Sequence, residues 1–351
     1  MSSTTRMKIS TEAGNSGNPG TWREPLHAPL WRAFTRFCVA PICCTLGITS
    51  CQSGSQQVAV IPRTTATSLW EAEHAGADTA AQKLGLSVYW NAPTRADDVQ
   101  QQIALVTRAI KRHDRGLILA PDQPLALLVP ILDAIRQGIP TVIVGSTPPM
   151  PLDPSLSYIV NDNVATGQMA AARINRILEG KGRVAVLGID PASPGALEIL
   201  HAFETTLERD YPRIFLVDRR SGSSNENEAQ ESANESLVND EHLSAIFAIS
   251  ATATRGAYLA LRSRGEKSQV KLVGFEQDLE LLSLVRDGQI DSLIAENTYQ
   301  MGYSAMELVG QNRGSKRQGQ IQKLPPTLVT AENAASPEIQ RLLSPDWGQK
   351  R

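Results

Sequence analysis

Cysteine is almost absent from this chain, and it is confined to one short segment. The four cysteines are Cys38, Cys43, Cys44 and Cys51, and the 300 residues after Cys51 contain none. This distribution excludes a disulfide framework and a cysteine-ligated zinc site in the main part of the chain. The sequence also lacks an apolar run of the about 20 residues that a membrane-spanning helix needs.

A short apolar segment, residues 37–48, follows Arg32 and Arg36 and leads to Cys51. A basic region, an apolar region and small residues before a cleavage site are the order of a signal peptide. The tetrapeptide Ile48-Thr49-Ser50-Cys51 resembles the bacterial lipobox, in which the peptidase cuts before the cysteine and the thiol carries a lipid. The resemblance implies that residues 1–50 are a leader and lipoprotein signal peptide. It also implies export to the periplasmic or cell-surface side and membrane anchoring through lipidated Cys51. A plain secretory signal or a buried core segment remains the alternative.

Positive charge is scarce after the leader. The 300 residues beyond Cys51 hold 29 Lys and Arg against 34 Asp and Glu, a net charge of −5. Nucleic-acid binding depends on neutralising phosphates, so a nucleic-acid partner is not expected. A chain of this length is sufficient for two domains of ordinary size.

The common signatures of enzymes are missing as well. No GxGxxG or Walker-type run follows a predicted strand, and the histidines show no paired metal-ligand spacing. Ser146 and Ser250 lack the Gly-x-Ser-x-Gly surroundings of a hydrolase nucleophile. We therefore expect no catalytic residue, no metal and no cofactor, and we predict that the protein is not an enzyme.

What the sequence does contain is a regular alternation of short β-branched runs and longer segments with helical periodicity. Such alternation predicts right-handed βαβ units, parallel sheets and helices on both sheet faces. The predicted strands are Val58–Ile61, Leu86–Trp90, Leu117–Ala120, Thr141–Val144, Val184–Leu187, Ile214–Val217, Ala245–Ile249, Val270–Val273 and Ser292–Ala295.

The alternation is interrupted at residues 145–160, where four prolines leave no room for a helix. We interpret this segment as a crossing between two α/β domains. Further crossings are predicted near residues 294–297 and 325–330, the last as an extended strand. Residues 331–351 are predicted to be a polar tail.

Several local strings, in this order and spacing, resemble the type I periplasmic binding proteins, in the ribose/galactose-binding branch that serves sugar transporters of the ABC class. The match covers about residues 57–330. The strings are Ala81-Gln82-Lys83-Leu84-Gly85, Gln137-Gly138-Ile139-Pro140, Asn161-Asp162-Asn163, Val273-Gly274-Phe275-Glu276, Asp287-Gly288-Gln289-Ile290 and Gln300-Met301-Gly302.

The resemblance implies two Rossmann-like lobes, joined by a hinge of three crossing strands, that close over a ligand. The N-terminal lobe would comprise residues 57–161 and 297–325, and the C-terminal lobe residues 162–296 and 326–330. The implied function is capture of a small molecule, such as a sugar, and its delivery to an ABC permease by a monomeric lipoprotein. A sensory binding protein that signals to a membrane receptor is an alternative. The effector domain of a transcription regulator is another, although residues 1–56 show no DNA-binding helix-turn-helix.

The resemblance also assigns ligand-binding positions at the carboxyl ends of strands, where open α/β sheets bind ligands. In sugar-binding relatives the loop after the first strand carries polar and aromatic groups that contact the sugar. The positions that match in this chain are Arg63, Thr67, Leu69, Trp70, Gly145, Ser146, Asp162, Leu197, Ser250, Glu276 and Glu296.

Several of these positions depart from the family pattern. Gly145-Ser146 replace an Asp-Arg pair, Leu197 replaces an arginine and Ser250 replaces an asparagine. Glu276 stands for an aspartate, and Glu296 for a hinge residue that is often glutamine.

Each position also has a structural alternative. Trp70 could pack a helix on a sheet, Arg63 could be a surface residue, and Glu276 could cap the helix that starts near Asp278. The pocket has lost arginines and gained glutamates, and unpaired buried carboxylates are costly. Arg63 or a cationic group on the ligand could balance them. A sugar, a polyol, a modified sugar and an amine-bearing small molecule all remain open.

Overall fold

The computed structural model describes residues 56–65, 69–95, 98–147, 149–191, 193–221, 225–265, 269–311 and 319–343, without the side chains of residues 69, 341 and 343. The predicted signal peptide, the lipidation site Cys51 and the predicted contact residue Thr67 lie outside these ranges.

Twelve strands in the described ranges form two six-stranded sheets. The strands are β1 Gln57–Ile61, β2 Ser87–Trp90, β3 Gly116–Leu119, β4 Thr141–Val144, β5 Leu156–Asn161, β6 Gly182–Ile189, β7 Ile214–Ser221, β8 Ala245–Ala248, β9 Lys271–Phe275, β10 Ser292–Ala295, β11 Ile321–Leu324 and β12 Thr327–Thr330. The first sheet has the order β11-β5-β4-β3-β1-β2, and the second has the order β12-β10-β9-β8-β6-β7. Neighbouring strands are parallel except for β10 and β12, which pair antiparallel.

Helices cover both faces of each sheet. They are α1 Leu69–Leu84, α2 Val99–Lys111, α3 Leu128–Arg136, α4 Asn163–Ile177, α5 Pro194–Asp210, α6 Glu226–Asn239, α7 Ala251–Ser263, α8 Leu279–Arg286, α9 Thr298–Gln311 and α10 Pro337–Leu343. In the first lobe α1 and α9 pack on one face, and α2 and α3 on the other. In the second lobe α4 and α5 cover one face, and α6, α7, α8 and α10 cover the other. This layering confirms the predicted α/β fold of two lobes, and it explains why the central strands are apolar on both faces.

The chain passes between the two sheets three times. It leaves the first sheet after β5 at Asn161, returns after β10 at Ala295, and crosses again between β11 and β12 at Pro325-Pro326. Two sheets joined by three short connections form an arrangement that allows a hinge motion, because few backbone positions need to change. The residue limits of the two lobes stay a prediction.

Tight contact between α1 and α9 fixes the start of α1 against the first sheet. Gly302 lies so close to the backbone carbonyl of Glu73 that no side chain would fit there, and Gly76 lies equally close to the carbonyl of Tyr299. Glycine is needed where two helix backbones approach in this way. The packing buries Glu73 completely.

Three elements differ from the sequence-based predictions. The crossing segment contains strand β5, and β11 was not predicted at all. The predicted polar tail is wrong for Pro337–Leu343, which forms α10 and buries Ile339 and Leu342 in the core of the second lobe. Polar residues lie between these two apolar side chains, so the amphipathic pattern of this short helix was too weak to be recognised in the sequence.

Among the residues that the structure describes, no helix has the length and apolar character required to traverse a lipid bilayer.

Candidate functional site

Polar residues follow the carboxyl ends of strands in both sheets. In the first sheet Arg63 lies just beyond β1 and Ser146 just beyond β4. In the second sheet Glu276 follows β9 directly and Glu296 follows β10 directly. The carboxyl edge of each sheet therefore supplies groups to one candidate site, as expected for open parallel sheets.

Arg63 lies beside Trp70, the second residue of α1. Its guanidinium carbon is 5.9 Å from the centroid of the Trp70 ring, within the range of a cation–π contact. Trp70 is 8% exposed and belongs to the core of the first lobe, so the helix-to-sheet packing alternative holds for this residue. The Nε of Arg63 is buried and has no hydrogen-bond partner. Arg63 is therefore half-buried at the site rather than free on the surface.

Glu73 is a buried acid, close enough to Arg63 to feel its charge, that the sequence analysis did not single out. It lies one helical turn after Trp70, it is fully buried, and neither of its carboxylate oxygens has a hydrogen-bond partner. Burial raises the pKa of Glu73 from 4.5 to about 8, and the opposing effect of the Arg63 charge is smaller. A carboxyl group on the buried stripe of an amphipathic helix, three residues after a buried tryptophan, was the available signal.

Glu276 adopts a left-handed backbone conformation, with φ at +64°. Non-glycine residues rarely adopt this conformation, and such strain is often found at functional sites. Its Oε2 accepts a hydrogen bond of 3.0 Å from the backbone N–H of Ala251, in the first turn of α7. Desolvation raises the pKa of Glu276, while this hydrogen bond and the charges of Arg63 and Arg255 lower it.

The alternative role predicted for Glu276, capping the following helix, is wrong. Asp278 caps α8, because its Oδ1 accepts a hydrogen bond of 2.8 Å from the N–H of Leu281. Glu276 instead uses the N-terminus of α7, where the helix dipole favours a negative charge.

Glu296 connects the two sheets. Its Oε1 accepts a hydrogen bond of 2.5 Å from Nδ2 of Asn161, the last residue of β5 in the first sheet. The backbone of Glu296 makes two hydrogen bonds with the side chain of buried Gln277, at 2.8 and 2.6 Å. Desolvation and the neighbouring Glu276 charge raise the pKa of Glu296 to about 8, while Arg63 lowers it. Glu276 and Glu296 are half-buried as whole residues, whereas Glu73 is fully buried.

The remaining predicted contact residues have varied surroundings. The Oγ of Ser146 is buried without a partner, next to Gly145, whose φ is +71°. Asp162 caps α4 and Ser250 caps α7, each accepting a backbone hydrogen bond of 3.1 Å. Leu197 is 43% exposed in the first turn of α5.

Leu69 begins α1, and its side chain is not described. The assignment of all these positions to a ligand stays a prediction.

Within the ranges that the structure covers, no group of three or more His, Cys, Asp or Glu residues is arranged to hold a metal ion.

Sequence comparison identifies the family. The model of the periplasmic binding protein domain matches residues 58–316, most of the chain. The chain belongs to the periplasmic binding protein family. The type I resemblance found in the sequence is thereby confirmed. The two lobes that supply Arg63, Asn161, Glu276 and Glu296, which we call the polar cluster, are those of this fold.

Individual relatives support the same assignment. The D-allose-binding periplasmic protein of Escherichia coli is 23% identical over 260 residues, which cover 72% of this chain and 83% of that protein. A sugar-binding protein of a sugar ABC transporter from Bacillus halodurans superposes with a TM-score of 0.74 at 25% identity, covering 80% of this chain and 98% of that one.

A carbohydrate-transporter solute-binding protein from Agrobacterium radiobacter, solved with D-arabinose, gives a TM-score of 0.71 at 21% identity. It covers 83% of this chain and all of that one, and at this identity it shows the shared fold. These relatives are binding proteins by name, and the absence of catalysis in this chain stays a prediction.

Proposed function

We propose that this protein is an extracytoplasmic solute-binding lipoprotein. It captures a small sugar or sugar-like compound between its two lobes and delivers it to the permease of an ABC transporter. The observation that carries the proposal is the polar cluster to which both sheets contribute. Arg63 comes from the first lobe, and Glu276 and Glu296 come from the second. The hydrogen bond between Asn161 and Glu296 joins the two lobes.

Capture depends on the ligand touching both lobes. A compound bound to the first lobe alone would gain the contacts of Glu276 and Glu296 only when the lobes approach each other. Binding therefore favours the closed arrangement by the difference in affinity between the two states. The three crossings between the sheets absorb the motion, and the permease then recognises the closed form.

The groups at the site suit a hydroxylated ligand. Arg63 offers planar donors, and the glutamates offer acceptors. The family and the sugar-binding relatives described above support a sugar-like ligand over other small molecules.

Export and anchoring complete the proposal. The lipobox-like tetrapeptide ending at Cys51 supports cleavage before this residue and lipidation of its thiol. A monomer tethered in this way can reach a permease in the same membrane while its binding domain remains in water.

The proposal is tested by thermal-shift screening of the purified protein against sugars and polyols. A ligand that binds only the folded state raises the melting temperature in a concentration-dependent way, by RT ln(1 + [L]/Kd) in free energy. We expect at least one pentose or hexose to give this saturable increase. If no sugar or polyol shifts the melting temperature at millimolar concentration, the proposed ligand class is wrong.

A further inference from the structure

The side chain of Gln277 continues the second sheet beyond the end of its strands. β9 and β10 are parallel, and their register ends with Ile294 beside Phe275. The N–H of Glu276 still donates to the carbonyl of Ile294, at 3.1 Å. In a parallel pair the next hydrogen bond would run from the N–H of Glu296 to the carbonyl of Glu276. The left-handed backbone of Glu276, with φ at +64°, ends the regular ladder before that bond.

Gln277 supplies the next hydrogen bond with its carboxamide. Its Oε1 accepts a bond of 2.8 Å from the N–H of Glu296, and its Nε2 donates one of 2.6 Å to the carbonyl of Glu296. Like a peptide group, a carboxamide carries a donor and an acceptor side by side, so it can satisfy both backbone groups at once. Gln277 is 5% exposed, which shields these bonds from water.

The residue that Gln277 holds is connected to every crossing between the sheets. Glu296 follows β10 directly and begins the second crossing. Its side chain accepts the hydrogen bond from Asn161, where the first crossing begins. The next residue, Asp162, donates its N–H to the carbonyl of Leu324 at 2.8 Å, just before the third crossing. Gln277 therefore grips the part of the chain on which the three crossings converge.

On its other side Gln277 is joined by a peptide bond to Glu276, which lies at the candidate site. Oε2 of Glu276 accepts the hydrogen bond from Ala251 at the start of α7, and Asp278 caps α8. Each of the three residues between β9 and α8 is thus held by a different element. A left-handed non-glycine residue persists where the surroundings restrain it in this way. A force on Glu276 is therefore passed to the second crossing through Gln277.

We propose that Gln277 is a positioning residue that couples ligand contact at Glu276 to the hinge, by holding the backbone of Glu296 in the arrangement that lobe closure requires. It acts through Glu296 and needs no contact with the ligand. The inference rests on the proposed function, since it concerns the closure of the same cleft. A ligand favours closure only by its difference in affinity for the two states, so loosening this connection should weaken binding.

The test begins with isothermal titration calorimetry of the purified protein against the D-aldopentoses and D-aldohexoses, and the sugar of highest affinity is used for the variants. Gln277→Met has a similar length and removes both hydrogen bonds. We expect it to bind this sugar about tenfold more weakly. At saturating sugar its radius of gyration in X-ray scattering should fall less than that of the wild type.

Ser236→Ala is the matched control. Ser236 is fully buried in the same lobe, and its Oγ donates a hydrogen bond of 2.8 Å to Asp218, a residue of the edge strand β7. The variant therefore loses a buried hydrogen bond away from the crossings, and it should bind the sugar as the wild type does. Melting curves without sugar show whether each variant folds. If Gln277→Met does not fold, Gln277→Asn gives the same comparison, because it keeps the carboxamide but shortens its reach.

A double-mutant cycle separates coupling through the hinge from a local packing effect. Asn161→Ala removes the next hydrogen bond on the same path. If Gln277 acts through Glu296 and Asn161, the double variant should bind about as weakly as Gln277→Met alone. The losses of two independent sites would instead multiply.

The outcomes separate this inference from the proposed function. If the Gln277 variant binds the sugar as tightly as the wild type, the inference is overturned and the proposed function stands. The same holds if the variant closes as fully as the wild type, or if the losses of Gln277→Met and Asn161→Ala multiply. If the wild type binds none of these sugars, both are overturned.

Discussion

The ionisation of Glu73 should make the ligand-free protein less stable as the pH rises. The structure buries this carboxyl group completely and raises its pKa from 4.5 to about 8. Each pH unit between the unfolded and folded pKa values corresponds to about 1.4 kcal/mol, so the ionised group costs the fold about 5 kcal/mol. A loss of this size is a large fraction of the stability of an ordinary domain.

The direction of the effect follows from the raised pKa. The folded protein holds the proton more tightly than the unfolded chain, so the contribution of Glu73 is fully present below about pH 4.5. It is lost progressively as the pH rises to about 8 and stays lost above that value. Glu73→Gln has a similar shape and no charge, and it should remove this part of the pH dependence.

Urea unfolding of the wild type and Glu73→Gln, measured at about pH 5, 7 and 9 without ligand, checks the calculation. The free energy of unfolding of the variant, relative to the wild type, should increase by about 4 kcal/mol between pH 5 and pH 9, since part of the full effect lies outside this range. Glu235→Gln, on the exposed surface, should follow the wild type. If Glu73→Gln also remains parallel to the wild type from acid to alkaline pH, Glu73 is not the buried, proton-holding group described above.

Three further predictions concern packing, the link between the lobes and the anchor. Trp70→Ala should lower the free energy of unfolding by about 3–5 kcal/mol because it empties a core site, and Trp70→Phe should lose less, as chemical denaturation would show. Asn161→Ala removes the hydrogen bond to Glu296, whose raised pKa keeps this carboxyl group protonated at neutral pH. A hydrogen bond to a neutral acceptor is worth about 0.5–1.5 kcal/mol, so its loss should weaken ligand affinity about two- to tenfold in calorimetry. Unchanged affinity would mean that this bond does not support the closed state. Cys51→Ser should abolish incorporation of labelled fatty acid in cells and move the protein out of the membrane fraction, and continued labelling would disprove lipidation at this residue.

The central strands and the sheet-flanking helices were predictable because their patterns are strong. A strand covered by helices on both faces is a continuous apolar run, and glycines such as Gly85 and Gly138 mark the ends of helices through positive φ values. The missed strands have weaker patterns. β11 lies at a sheet edge, where Ile321 is 53% exposed, so its residues need not be apolar. β5 follows a run of prolines that excluded a helix but left the residues after Pro154 free to join a sheet.

The site was predicted only in part, because its key property arises from packing. The assignment of Arg63, Glu276 and Glu296 to the site followed from the resemblance to the family. The complete burial of Glu73 depends on the glycine-mediated approach of α9 to α1, two helices that are far apart in the sequence. Likewise, the sequence could not show that Glu276 would bond to the start of α7 rather than to the next helix along the chain.

Small-angle X-ray scattering with and without ligand tests the central claim most directly, using the compound that gives the largest thermal shift. If the two lobes close over a solute, the radius of gyration should fall on saturation, and the fall should follow the binding curve measured by calorimetry. A ligand that binds and stabilises the protein while the scattering curve stays unchanged would contradict capture by lobe closure.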